Sequence, residues 1–275
     1  MSWKNIKSFM IILLLLACIV VGAMLWLNGD NEPYTDDALE KAAELMSESG
    51  ISVSVDQLQG DFSGMKLYRF TLPQDYPERV AEKLASGKAT DVFAVPNGIA
   101  IRTDQGESLF VGNDFTISYR CLNARDGATE QEIATLLVPD CQFPEFGVLK
   151  KKGTESDGEV IFVQTLGDYP IPESEVKCNF VDGKLSSFSG KWYFPDKCST
   201  FSAQLRDYLN IMFTERERVS SESSENPSKK DLTVETLEKC YGIENTDSKT
   251  TFVLVPSLSI IYKEGEQVIH SAVAG

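Results

Sequence analysis

The apolar positions of this chain change character near residue 28. From 9 to 27 they run without a charged residue (FMIILLLLACIVVGAMLWL), and a helix of that length spans about 28 Å, close to the hydrocarbon thickness of a bilayer. Beyond it they become periodic. Ala38, Leu39, Ala42, Leu45 and Met46 fall at helical spacing between Thr35, a suitable N-cap, and Gly50, a helix stop, which predicts a helix over 35–49. Ile51, Val53 and Val55 alternate with polar residues as a strand. Pro77 starts a second short helix that Gly87 ends. Strands follow over 91–95, 98–102, 107–111 and 115–122, with turns at Asn97-Gly98 and Gln105-Gly106.

A capping box, Thr129-Glu130-Gln131-Glu132, opens another helix, and Pro139 must end it. The segment 141–158 contains Pro, Gly and the polar run KKGTESDG and reads as a connection between two lobes, 30–145 and 146–275. Past it come strands over 159–164, 176–180 and 184–194, the last two closed into a hairpin by Asp182-Gly183. Phe201, Leu205, Tyr208, Leu209, Met212 and Phe213 share one face of a helix predicted over 200–218, a stripe that belongs in a core. The stretch SSESSENPSKKD holds too few apolar residues to pack and predicts a mobile loop over 219–231. A short helix over 233–241 and strands over 251–255, 258–263 and 267–274 complete the chain. Alternating runs of strands and segregated helices predict an α+β fold with antiparallel sheets.

Charge gives the apolar run an orientation. Lys4 and Lys7 precede it, and Asp30, Glu32, Asp36 and Asp37 follow, so residues 1–8 are expected to be a cytoplasmic stub and 9–27 a single-pass transmembrane helix. The rest is then displayed outside the cytoplasm from the cell membrane. A second reading uses Leu15-Leu16-Ala17-Cys18, which approximates a lipidation box; cleavage there would make Cys18 the lipidated N-terminus of a tethered binding module capturing a cell-wall fragment or peptide. Removing Lys4 and Lys7 from 26 basic residues leaves 24 against 41 acidic ones, a net of −17 on the exterior part. Nucleic acid is excluded as a partner by that sign.

The six cysteines include Cys18 inside the apolar run. Cys121/Cys141 and Cys178/Cys198 have equal separations, so two local disulfides compete with buried free thiols, and Cys240 is left over. Candidate chemistry is sparse. The one histidine is His270, and C-x-x-C, H-E-x-x-H, G-x-S-x-G, G-x-G-x-x-G and the P-loop pattern are missing. Ser63-Gly64-Met65-Lys66 matches the S-x-x-K of penicillin-recognising serine enzymes, but S-D-N and K-T-G do not accompany it.

The layout resembles the YycI/YycH family of membrane-anchored accessory proteins of a Gram-positive cell-wall sensor kinase system, and YycI more closely. The resemblance rests on the stub Met1-Ser2-Trp3-Lys4-Asn5-Ile6-Lys7 before one transmembrane helix and on the helix-and-strand phrase over 37–55. It also rests on Leu254-Val255-Pro256 through Ile260-Ile261-Tyr262, with a Gly265 turn leading to Ala274-Gly275. Where the family has a Trp after the proline and a Tyr-rich return strand, this chain has Ser257-Leu258 and Val268-Ile269-His270. The resemblance implies a non-enzymatic regulator, without catalytic residues, cofactor or metal. Its partners would be a sensor histidine kinase, met through the transmembrane helix and the exterior domain, and a paralogous accessory protein. Within the apolar run, Cys18 and Gly22, small enough to pack closely on a partner helix, share a face with Trp26, and Ala23 sits beside them.

Overall fold

The computed structural model describes residues 34–121, 128–140, 145–152, 158–201, 208–225, 232–246, 250–265 and 267–273. The run 9–27, with Cys18, Gly22, Ala23 and Trp26, lies outside them, as does Cys141. Among the described residues no helix is long and apolar enough to cross a membrane.

The fold is α+β with mostly antiparallel sheets. Helix α1 (Asp36–Glu48) buries Leu39, Ala42 and Met46. Strand β1 (Ile51–Ser52) is short because Ser54 and Gln57 form a capping box that turns the chain into α2 (Val55–Leu58). Next come β2 (Leu67–Thr71) and α3 (Tyr76–Leu84), which has Pro77 in its first turn. A meander follows: β3 (Ala89–Val95), β4 (Gly98–Thr103), β5 (Glu107–Gly112) and β6 (Thr116–Cys121). At Gly98 φ is +149° and a Cβ would lie 2.0 Å from the Val111 carbonyl oxygen, so this turn requires glycine. Helix α4 (Glu130–Leu136) carries the predicted capping box, with Thr129 N–H donating to Glu132 Oε2 at 2.7 Å.

Strands β7 (Phe146–Lys152), β8 (Glu159–Leu166), β9 (Tyr169–Val181) and β10 (Lys184–Lys191) complete an eight-stranded sheet in the order β3-β4-β5-β6-β10-β9-β8-β7. Asp182 and Gly183 both have positive φ, as a type I′ turn between β9 and β10 demands. The second sheet has six strands. Strand β1 pairs in parallel with β12 (Leu232–Asn245), which pairs with β13 (Thr251–Glu264). One half of β13 then pairs with β2 and the other with β14 (Gln267–Val273), while β11 (Lys197–Phe201) closes the edge beside β2.

Helix α5 (Tyr208–Glu225) packs on β13 and against α1. Its Glu215 is 1% exposed at the side chain, forks with Arg218 at 2.5 and 2.8 Å, and accepts from the Tyr262 hydroxyl at 3.1 Å. The two sheets share one core, since β12 lies against β9. An aromatic hub of Phe70, Phe115, Tyr193 and Phe252 joins them, with ring centroids 4.8 to 6.1 Å apart. Phe115 holds φ at +67° to reach this hub, and its carbonyl accepts from the Trp192 N–H. Trp192, fully buried, donates its indole N–H to the Leu137 carbonyl at 2.7 Å, and its own carbonyl accepts from the Tyr76 hydroxyl at 2.6 Å.

Several sequence expectations are corrected. The boundary at 145/146 falls inside the larger sheet, because β6 and β10 pair across it. The smaller sheet is assembled instead from β1 and β2 near the start of the described residues and from β11 to β14 near their end, so the division follows sheets and not a single cut. The connection over 141–158 contains β7, where Phe146 is buried. Of the helix expected over 200–218, residues from Tyr208 are helical, Phe201 pairs in β11 opposite Leu67, and positions 202–207 lie outside the described residues. The helix runs on to Glu225, so 219–225 are helical: Val219 is buried, and the first strong breaker is Pro227. Positions 226–231 of the expected loop lie outside the described residues.

Residues 233–241 are strand. A bulge between Val234 and Thr236 switches which parity faces inward, so 234, 237 and 241 mimic helical spacing while belonging to β12. Cys178 is a free buried thiol on β9 and Cys198 sits on β11 of the other sheet, so that pair is not bonded.

Candidate functional site

Alternation along β4, β5 and β6 divides their side chains between two faces. Ile99, Ile101, Leu109, Val111, Ile117 and Tyr119 point inward, where α3 covers β4 and β5. The same face carries one carboxylate, Glu107, only 3% exposed. It accepts from the Ser86 hydroxyl, from Gly87 N–H at 3.0 Å, from the Thr103 hydroxyl at 2.8 Å and from the Tyr119 hydroxyl at 2.8 Å. Burial opposes its charge, but these donors outweigh that and hold its carboxyl below the usual range. Glu107 ties the end of α3 to the meander, which makes it a structural group.

The outer face is different. Cross-strand register places Asp91, Arg102, Ser108, Arg120, Ser187 and Asn179 in one row, and Phe93, Ala100, Phe110, Ser118, Ser189 and Lys177 in the next. Arg102, Ser108 and Arg120 are exposed, and Phe93 is 46% exposed. Phe93, Ala100, Arg102, Ser108, Phe110 and Arg120 line a solvent-open groove of about 300 Å³. The Arg102 guanidinium lies 5.8 Å from the Phe93 ring centroid, a cation–π contact. Among the described residues neither Arg102 nor Arg120 has a carboxylate in ion-pair range.

A smaller crevice of about 100 Å³ beside α3 offers a contrast, because Arg79 pairs with Asp196 at 3.6 Å and Lys83 with Asp140 at 2.7 Å. Its cations are already matched. The edges of the large sheet differ as well. Strand β7 carries Lys150, Lys151 and Lys152, a charge guard against edge pairing, whereas β3 exposes Val92 at 61% and Phe93.

The residues singled out from sequence do not gather here. Ser63 lies in a turn, not at a helix start, and its hydroxyl and N–H both donate to Asp61 Oδ1, at 2.7 and 3.0 Å. Asp61 also has Lys239 at 3.7 Å, and the Lys66 N–H donates to the Tyr241 hydroxyl. The serine is thus oriented by Asp61, and the S-x-x-K spacing does not build the constellation of a serine acyl enzyme. Cys121 is buried at the end of β6, and burial pushes the thiols of Cys178 and Cys240 up to about 12. His270 lies on β14 opposite Ile261. Among the described residues no three His, Cys, Asp or Glu side chains group as a metal site.

Sequence reasoning missed Arg102, Arg120, Phe93 and Phe110. The signal was present in the correctly placed strands, but only the register brings these four together.

No family model and no curated protein matches this chain. Among solved structures it is similar to an uncharacterized protein from Eubacterium rectale ATCC 33656, at 12% identity over 76% of this chain and 82% of that one, with a TM-score of 0.38. A likeness at that level carries no argument about the site.

Proposed function

We propose that this chain is a membrane-tethered, extracytoplasmic regulator that acts by binding, with a sensor histidine kinase as its partner. The observation that carries this reading is the groove of the outer sheet face. A chain of net charge −15 holds Arg102 and Arg120 there, beside exposed Phe93, without a carboxylate in ion-pair range among the described residues. Aromatic and arginine side chains together on an open surface are the residues that protein interfaces favour. The kinase enters through the likeness of the layout to YycI, and the tether through residues 9–27, where Cys18, Gly22, Ala23 and Trp26 form the face for a partner helix.

The test is co-purification of the full chain with sensor kinases of the same cell, co-expressed one at a time. The reading expects one kinase to be retained, and Gly22→Leu or the pair Arg102→Glu and Arg120→Glu to weaken its retention and change its autophosphorylation. Retention and signalling unaltered by both variants would refute it. The mass of the intact protein separates this reading from the tethered binding module, since lipidation at Cys18 removes residues 1–17 and adds a diacylglycerol.

A further inference from the structure

The groove has a finer structure than a basic patch. In one row Ser108, small, stands between two long side chains, Arg102 and Arg120; in the next, Ala100 stands between two rings, Phe93 and Phe110. Each large-small-large row makes a notch over its small residue, one cationic and one aromatic. Strands lie about 4.8 Å apart, so the two residues flanking each notch are rooted about 10 Å from one another, which is room for one inserted side chain. The notches sit on neighbouring strands, β5 and β4, and two residues apart along them. They are therefore about 8 Å from centre to centre.

We infer that this face reads an extended peptide of the partner that presents a carboxylate and an apolar side chain two residues apart. In an extended chain such side chains share one face about 6.8 Å apart, close enough to the notch spacing for flexible side chains to close the difference. The carboxylate enters between Arg102 and Arg120, whose planar forks suit its two oxygens, with the Ser108 hydroxyl as a further donor. The apolar side chain fills the notch over Ala100. Charge complementarity selects the occupant: Asp91 lies opposite Arg102 without forming an ion pair with it, and Arg120 has Ser108 and Ser187 as its neighbours in the row, so among the described residues neither cation is held by a carboxylate. This inference rests on the binding reading above and specifies what is bound.

The test uses the full chain in detergent and three capped peptides by fluorescence anisotropy: Ser-Glu-Thr-Leu-Thr-Ser, its Glu→Gln form and its Leu→Ser form. The first is expected to bind at least tenfold more tightly than either of the others. Arg102→Lys and Arg120→Lys, which keep charge but lose the fork, should weaken it several-fold, and Ala100→Trp, which fills the aromatic notch, should weaken it tenfold without changing the melting temperature. Equal binding of the three peptides, or no effect of Ala100→Trp, would overturn the inference. So would full competition by inorganic phosphate against all peptides alike, marking a simple anion site. Concentration-dependent self-association abolished by the same variants would make the occupant a second copy and also overturn it. If kinase retention is lost in the Arg102→Glu, Arg120→Glu variant while the peptides do not discriminate, the docking reading stands and only the peptide chemistry falls.

Discussion

The two faces of the meander β4-β5-β6 treat polar groups in opposite ways. On the inner face Glu107 has four donors around one buried carboxylate. On the outer face Arg102 and Arg120 stand on either side of Ser108 with no carboxylate in ion-pair range among the described residues. Polar groups of the first kind are committed to holding the fold and have no capacity left for a ligand. Those of the second kind contribute little to stability, and their capacity is open.

That contrast can be broken by measurement. The largest effect is expected at Glu107→Ala, which leaves the Ser86, Gly87, Thr103 and Tyr119 donors without their acceptor; urea unfolding at pH 7 should show a loss on the order of 4 kcal/mol. A loss below about 1 kcal/mol would mean the network is replaced by water. Glu107 also gives a pH signature. Its folded carboxyl titrates below its unfolded value, so its contribution is fully present above the unfolded pKa of about 4.3 and is lost as pH falls through the folded one. Glu107→Gln should flatten that acid slope of stability.

Trp192→Phe removes the indole bond to the Leu137 carbonyl and leaves a gap in the core, expected to cost about 2–3 kcal/mol by the same unfolding assay. Thr129→Ala deletes one half of the capping box on α4, with about 1 kcal/mol lost. Arg102→Ala and Arg120→Ala should each change stability by no more than about 0.5 kcal/mol, as exposed outer-face residues do. A loss as large as that at Glu107 would erase the distinction between the faces.

Local signals in the sequence were reliable where one residue type has one physical role. The Thr129 to Glu132 capping box, the Asp182-Gly183 turn and Pro77 in the first turn of α3 all stand where the sequence puts them. They failed where tertiary pairing overrides local period. The bulge at Val234/Thr236 disguises β12 as a helix, and the equal cysteine separations say nothing about Cys178 and Cys198 lying on different sheets. The lobe boundary failed for the same reason, since the long-range pairing of β6 with β10 leaves no mark on composition. The groove stands between these cases. Each strand that builds it was legible by alternation, but Arg102 and Arg120 become neighbours of Ser108 only once the register of β4, β5 and β6 is known.

The central claim, that the outer face is where a partner docks, is tested most directly by charge reversal in the full chain. Arg102→Glu with Arg120→Glu is compared with a charge-matched control, Lys41→Glu with Lys66→Glu, both exposed and carried by α1 and the segment before β2, outside the large sheet. The readout is retention of the co-expressed sensor kinase. Loss in the first variant with retention in the control is the predicted result. Equal retention in both would contradict the claim.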